Sequence, residues 1–118
     1  MSASQPLAGI RVIDLTSVVM GPLGTQMLAD LGADVIAIEA ALGDANRHMG
    51  TGPHPELSGV ALNLLRNKRS IVLDLRDEAG YEALLRLVSS ADVFVTNLRP
   101  GSRARARITR DEIGRAHV

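Results

Sequence analysis

The chain has 118 residues, 46% hydrophobic and only 2% aromatic, so it holds at most one ordinary domain and its core must be aliphatic. It carries no cysteine, which excludes disulfides, thiolate metal sites and cysteine nucleophiles. Formal net charge is zero but uneven: residues 1–65 hold two arginines against six acids, and residues 66–118 hold eleven lysines and arginines against seven acids. Such asymmetry suggests an anionic partner near the second half. Stacking groups are limited to Tyr81 and Phe94, which argues against a single-strand nucleic-acid binder. No stretch reaches the length of a membrane span, and the first residues show no basic region leading into an apolar run. The expectation is a cytoplasmic protein with neither membrane nor nucleic acid as partner.

Residues 1–7 read as a loose leader. Gly9 to Leu15 reads as a buried strand, and Gly21-Pro22-Leu23-Gly24 as a turn opening a helix over Thr25 to Leu31. Proline suits a first helical position because its missing N–H would be unpaired there anyway. Leu23, Met27, Leu28 and Leu31 recur at helical spacing and should face the sheet, with Gly32 as the stop. Asp34 to Glu39 reads as the next strand. Leu42 to Ser58 holds five Gly or Pro together with His48 and His54, and reads as a long irregular connection of the kind that is more often functional than idle.

Leu57 to Leu65 reads as a short helix, Asn67-Lys68-Arg69 as a polar turn, and Ser70 to Leu75 as a third strand. Asp77 to Ser90 reads as a helix with Asp77 as N-cap and an apolar stripe of Tyr81, Leu84, Leu85 and Val88. Asp92 to Thr96 is a fourth strand, followed by a loop over Asn97 to Gly101. The order β-α-β-α-β-α-β predicts an α/β fold: a Rossmann-like parallel sheet with helices on both faces. Short, continuous, apolar strands fit a sheet covered on both sides.

Three places are candidates for ligand chemistry. The turn at Gly21-Pro22-Leu23-Gly24 is G-x-x-G rather than G-x-G-x-x-G, and Pro22 removes an N–H that a pyrophosphate would use. Glu39 lies eighteen residues after Gly21, close to the roughly 20-residue offset of the ribose-binding acid in dinucleotide folds. The loop Asn97-Leu98-Arg99-Pro100-Gly101, followed by Arg103, Arg105, Arg107 and Arg110, lies where open α/β sheets place ligands, and arginine suits phosphate oxygens. On a helix, Arg103, Arg105 and Arg107 would fan around the axis rather than form one face. Lys68 and Arg69 could reach a phosphate or simply keep the strand entrance solvated. The histidines lack companions for a metal site, and no acid–base pair or activated serine stands out, so no catalytic residue is assigned.

Several ordered blocks together resemble family III CoA-transferases, a family that includes formyl-CoA transferase, carnitine CoA-transferases and α-methylacyl-CoA racemases. They are Pro6 to Leu15; Gly21-Pro22; Leu28 to Ile36; Gly43-Asp44 with Arg47; Asn67 to Ile71 with Leu73-Asp74-Leu75; and Ala91-Asp92-Val93 through Asn97 and Arg99-Pro100-Gly101. Coverage is roughly residues 6–110, and the blocks jointly are far more specific than any one motif. The resemblance implies a Rossmann-like large domain, an interlocked homodimer, and acyl-CoA and carboxylate substrates, with CoA as substrate and no tightly bound cofactor. It implies that the CoA nucleotide lies against Val18, against Leu73 and Arg76, and against Asn97 and Leu98, with Arg105 facing a phosphate. Val19 stands where oxalate-using members carry Gln, which disfavours oxalate.

Transferases of this family attack acyl-CoA with an Asp carboxylate, and the racemases use a His and an Asp; by resemblance all of these lie downstream of the present residues. The expectation is therefore the N-terminal, CoA-nucleotide-binding portion of an enzyme that transfers CoA between carboxylic acids, itself inactive. The alternatives are an acyl-CoA racemase of the same family or a non-catalytic adenine-nucleotide-binding module. Residues 112–118, Glu-Ile-Gly-Arg-Ala-His-Val, can be encoded by a codon string that from its second base is the start of a widely used short-read sequencing adapter, which suggests a reading frame that ran off a DNA fragment into adapter. Residues 1–111 are accordingly expected to be native and 112–118 a non-native tail.

Overall fold

Alternation along two central strands sets the architecture. In β1 (Arg11–Leu15), Val12 joins one apolar cluster and Ile13 the other; in β2 (Asp34–Glu39), Val35 and Ile36 divide the same way. A computed structural model describes residues 4–116. β3 (Arg69–Val72) and β4 (Val93–Thr96) complete one all-parallel sheet in the order β3-β2-β1-β4. This is the opening order of the doubly wound sheets that bind ligands beyond their strand carboxyl ends. On one face α1 (Met20–Asp30) brings Ala29 against Val12 and Val35. On the other, α3 (Glu78–Ser89) brings Tyr81, Leu84 and Val88 against Ile13, Ile36 and Ile38. The expected parallel sheet, with helices on both faces, is present.

α1 departs from its expected form in two ways. It starts at Met20, so Gly21 and Pro22 lie inside its first turn. Pro22 is the third helical residue, still among the N–H groups that have no partner within a helix. Gly21 is required by proximity: a Cβ there would stand 2.6 Å from the Cβ of Thr16. The buried face also differs from the leucine stripe. Pro22, Thr25, Gln26 and Ala29 are buried and Leu28 packs partly, whereas Met27 and Leu31 are about half exposed. The helix lies close over β1 at Gly21, and the hydroxyl of Thr25 turns inward to serve Asp14. Its end is as expected: Gly32 adopts φ 103°, its N–H reaches Ala29 O at 3.0 Å, and Ala33 N–H reaches Leu28 O at 3.1 Å.

The leader is less loose than expected from Leu7 on. Leu7 donates to Leu31 O at 3.0 Å and packs against the α1-side cluster. The Leu42–Ser58 connection contains a 3-10 turn at Ala45–His48 and leads into α2 (Gly59–Leu64), which Ser58 caps through Ala61 N–H. β3 is shorter than expected and leaves Ile71 and Val72 exposed, because it is the edge strand and helices do not cover it on both sides. α3 carries the expected stripe; Asp77 holds the N-cap position without a capping side-chain bond.

The loop expected over Asn97–Gly101 ends early, since α4 (Pro100–Arg105) begins with Pro100 at its first turn. Arg103 and Arg105 lie on α4, and Arg107 follows it at φ 57°. α5 (Arg110–Ala116) sets Ile113 and Ala116 against the α3-side core. His117 lies outside the described residues.

Candidate functional site

Asp14 anchors the site from below. It is 3% exposed on β1, and both carboxylate oxygens are occupied: Oδ1 accepts from Thr16 N at 3.1 Å and Thr16 Oγ1 at 2.5 Å, and Oδ2 from Thr25 Oγ1 at 2.6 Å and Lys68 Nζ at 2.9 Å. Lys68 also donates to Pro22 O at 3.0 Å, and its side chain is 2% exposed. The lysine that sequence placed in a solvated turn is thus a buried counter-charge joining β1, α1 and the start of β3. Arg69 and Arg11 both bind Asp34, whose carboxyl is held below its usual range mainly by hydrogen bonding to Arg69. Neither Lys68 nor Arg69 faces the strand tips as a phosphate ligand; both serve protein carboxylates.

Glu39, the candidate ribose acid at the end of β2, is likewise committed. Arg47 grips it with two bonds, Nε–Oε2 at 2.8 Å and Nη2–Oε1 at 2.7 Å. Asp44 N–H at 2.7 Å and Ser70 Oγ at 2.5 Å complete the carboxylate. Hydrogen bonding from Arg47, opposed by burial, lowers its pKa from 4.5 to about 2. Its lone pairs are directed to the protein, so the dinucleotide analogy does not carry over. Arg47 shared a sequence block with Gly43-Asp44, but nothing in its spacing marked it as the partner of Glu39.

Two asparagines shape the loop after β1. Asn97, beyond β4, brackets Ser17: its Oδ1 accepts from Ser17 N at 3.2 Å and its Nδ2 donates to Ser17 O at 2.8 Å. Asn46, fully buried in the 3-10 turn, donates from Nδ2 to Val18 O at 2.6 Å. Val18 adopts φ 69°, a conformation that a β-branched residue rarely takes and that costs about 1–3 kcal/mol. Its side chain is half exposed.

Between these loops runs a trough at the carboxyl ends of the strands. It consists of two adjoining clefts of about 250 and 200 Å³ that share Leu15, Ile38, Glu39 and Ala40. Leu73, Leu75 and Arg76 line the first; Thr16, Ser17, Asp44 and Leu98 line the second. Of the residues singled out in the sequence, Leu73, Arg76 and Leu98 line the trough, and Val18 and Asn97 belong to the loop at its edge. Arg105 does not line it: it stands on α4 with Nη2 at 3.2 Å from Ser102 Oγ. Arg76 is exposed and bonds Asp74 at 3.1 Å. His48 and His54 sit in the 42–58 connection against Pro55 O and Glu56 N. A separate cleft of about 500 Å³ lies between α3 and α5, lined in part by Tyr81, Leu85 and Arg107.

An all-parallel α/β sheet with an apolar trough, rimmed by Arg76, beyond its strands places the chain in the class of open α/β folds, in which such a crevice is where ligands bind. The sequence matches the family model of CoA-transferase family III over residues 7–117, and the chain belongs to that family. It is 42% identical over 111 residues to a formyl-CoA:oxalate CoA-transferase of Streptomyces avermitilis, covering 93% of this chain and 27% of that one. It is 38% identical over 112 residues to a probable fatty acyl-CoA transferase of Mycobacterium tuberculosis, covering 93% and 28%. Among solved structures, a CAIB/BAIF family protein from Brucella suis superposes with a TM-score of 0.89 at 34% identity, covering 97% of this chain and 31% of that one. The chain thus spans little more than a quarter of the length of the curated relatives it matches.

Proposed function

We propose that this chain is the portion of a CoA-transferase that holds the CoA nucleotide, in an enzyme that moves CoA between carboxylic acids by way of acyl-CoA thioesters. The observation that carries the reading is the trough: in a family III chain, the ends of β1 and β2, with Leu73 and Leu75 just past β3 and Leu98 just past β4, border an apolar groove with Arg76 at its rim. The apolar lining suits an adenine ring and Arg76, at its rim, suits a phosphate; Arg105, on α4 outside the trough, is assigned a second phosphate on the family resemblance alone. Val18, Leu73, Asn97 and Leu98 supply the remaining contacts. CoA enters as substrate, with no tightly bound cofactor.

The reacting carboxylate is supplied by residues beyond this chain, so these 118 residues alone turn over no thioester. By the family resemblance the whole enzyme is read as a cytoplasmic, interlocked homodimer; exposed Met20, Leu42 and Val72 mark surface that the rest of the subunit or its partner would cover. Codons read from the parental gene after Asp111 test the adapter origin of residues 112–118.

Calorimetric titration with CoA tests the site. Binding is expected to weaken with added salt and on loss of the 3′-phosphate, and Arg76→Ala and Arg105→Ala are each expected to weaken it about five- to twentyfold. Equal binding of CoA and 3′-dephospho-CoA by all three proteins would overturn the phosphate assignment. Thioester exchange by the chain alone would overturn its inactivity.

A further inference from the structure

The left-handed backbone at Val18 needs a cause. Glycine tolerates φ near 69°, but a β-branched residue does not hold it without support from its surroundings. That support comes from a residue 28 positions away. Asn46 is excluded from solvent and its Nδ2 donates to Val18 O at 2.6 Å. Its other amide atom, Oδ1, is buried and accepts from no protein group. Burying an amide with one end unserved is unfavourable, so the donor end is the reason for an amide here.

The rest of the residue is fixed as well. Its N–H donates to Asp44 Oδ1 at 2.8 Å, and its carbonyl accepts the hydroxyl of Ser58. Asp44 in turn donates its N–H to Glu39, which Arg47 clamps. A rigid chain of contacts therefore runs from the end of β2, through the Ala45–His48 turn, to the loop after β1. Asn97 secures the adjoining residue Ser17 from the β4 side.

We propose that Asn46 is a positioning residue for ligand binding: its buried amide holds Val18 in the left-handed conformation and so sets the shape of the loop that receives CoA. The inference rests on the reading of the trough as the CoA site, and its first half stands apart from that reading. A residue with a merely structural role would affect stability and leave affinity alone. A positioning residue changes affinity through Val18, and relieving the strain at Val18 restores part of it.

The experiment compares the parent chain, Asn46→Ala, Asn46→Asp (same shape, donor lost), Val18→Gly, and the Asn46→Ala/Val18→Gly double variant. Each is followed by CoA calorimetry and by NMR of the residue 18 backbone. Asn46→Ala and Asn46→Asp are expected to take Val18 out of positive φ and to weaken CoA binding about tenfold. Val18→Gly is expected to make the second loss smaller, so that the double variant binds more tightly than additivity predicts. An unchanged Val18 backbone in whichever Asn46 variant folds would overturn the proposal, as would unchanged CoA affinity once the backbone has moved. If the parent chain binds no CoA, the reading of the trough falls and the ligand half of the proposal with it, while the NMR result still decides whether Asn46 holds the loop.

Discussion

Asp14 on β1 and Lys68 before β3, 54 positions apart, meet at 2.9 Å beneath α1 with almost no access to solvent. A buried pair of this kind stabilises little against an apolar substitute, but breaking it on one side is costly. Lys68→Met strands a carboxylate among Thr16, Thr25 and Pro22. It is expected to lower stability by about 3–5 kcal/mol, measured by urea unfolding. Pairing it with Asp14→Leu is expected to recover much of the loss. Additive losses in the double variant would show that the two charges do not act as a pair.

Acid should weaken the fold through Glu39. Its folded pKa, about 2, lies below the ordinary 4.5, so the carboxylate contributes stability that is fully present above pH 4.5 and is lost as pH falls toward 2. The contribution is about 2–3 kcal/mol for this nearly inaccessible group. Glu39→Gln is expected to flatten the unfolding free energy across that window, as read by denaturant melts at stepped pH. An equally steep profile in the variant would assign the acid sensitivity to other carboxylates.

Gly21 is expected to tolerate no side chain. A methyl group there meets the Cβ of Thr16 at 2.6 Å, and Thr16 is tied to Asp14 by two bonds. Gly21→Ala should therefore destabilise by about 1–3 kcal/mol, despite alanine being the better helix former by about 1 kcal/mol. Gly24, on the same helix with nothing within 4 Å of a built Cβ, is the control: Gly24→Ala should stabilise by about 0.5–1 kcal/mol in thermal melts.

Tyr81 links α3 to the chain after α4. Its hydroxyl donates to Arg107 O at 2.9 Å, and the Arg107 guanidinium lies 3.9 Å above its ring. Tyr81→Phe keeps the ring and removes the hydroxyl. It is expected to cost about 1 kcal/mol and to raise hydrogen exchange at Ile108 and Thr109. Leu84→Ala, which empties the centre of the same cluster, should cost about 2–5 kcal/mol.

Much of the fold was legible one segment at a time. Val12-Ile13 and Val35-Ile36 announce strands that are buried on both sides, and Tyr81, Leu84 and Val88 announce a helix face, because these signals repeat over a few neighbouring residues. In α1 contact with β1 overrides the leucine periodicity: Thr25 bonds Asp14 and Ala29 packs on Val12 and Val35, and the face they define leaves Met27 and Leu31 half exposed. The apolar Leu73 and Leu75 extend the expected β3 past its end at Val72: Leu73 N–H makes one last bond to Glu39 O at 3.0 Å, and beyond it the chain turns to line the trough.

The site divides along the same line. Family blocks marked Asp14, Asp34, Arg47 and Lys68 as belonging together in order, and the resemblance named Leu73, Arg76 and Leu98 as nucleotide contacts; the structure sets these three on two adjoining clefts. Whether a charged side chain faced a ligand or another part of the chain was beyond reach of spacing. Glu39 looked like a ribose acid until Arg47 was seen to grip it, and Lys68 looked solvated until it was found under α1. Strand and helix preferences are local and so can be read from a short stretch. The partner of a charge depends on which distant segments the packing brings within 3 Å, and that is settled when the sheet and its helices close around it.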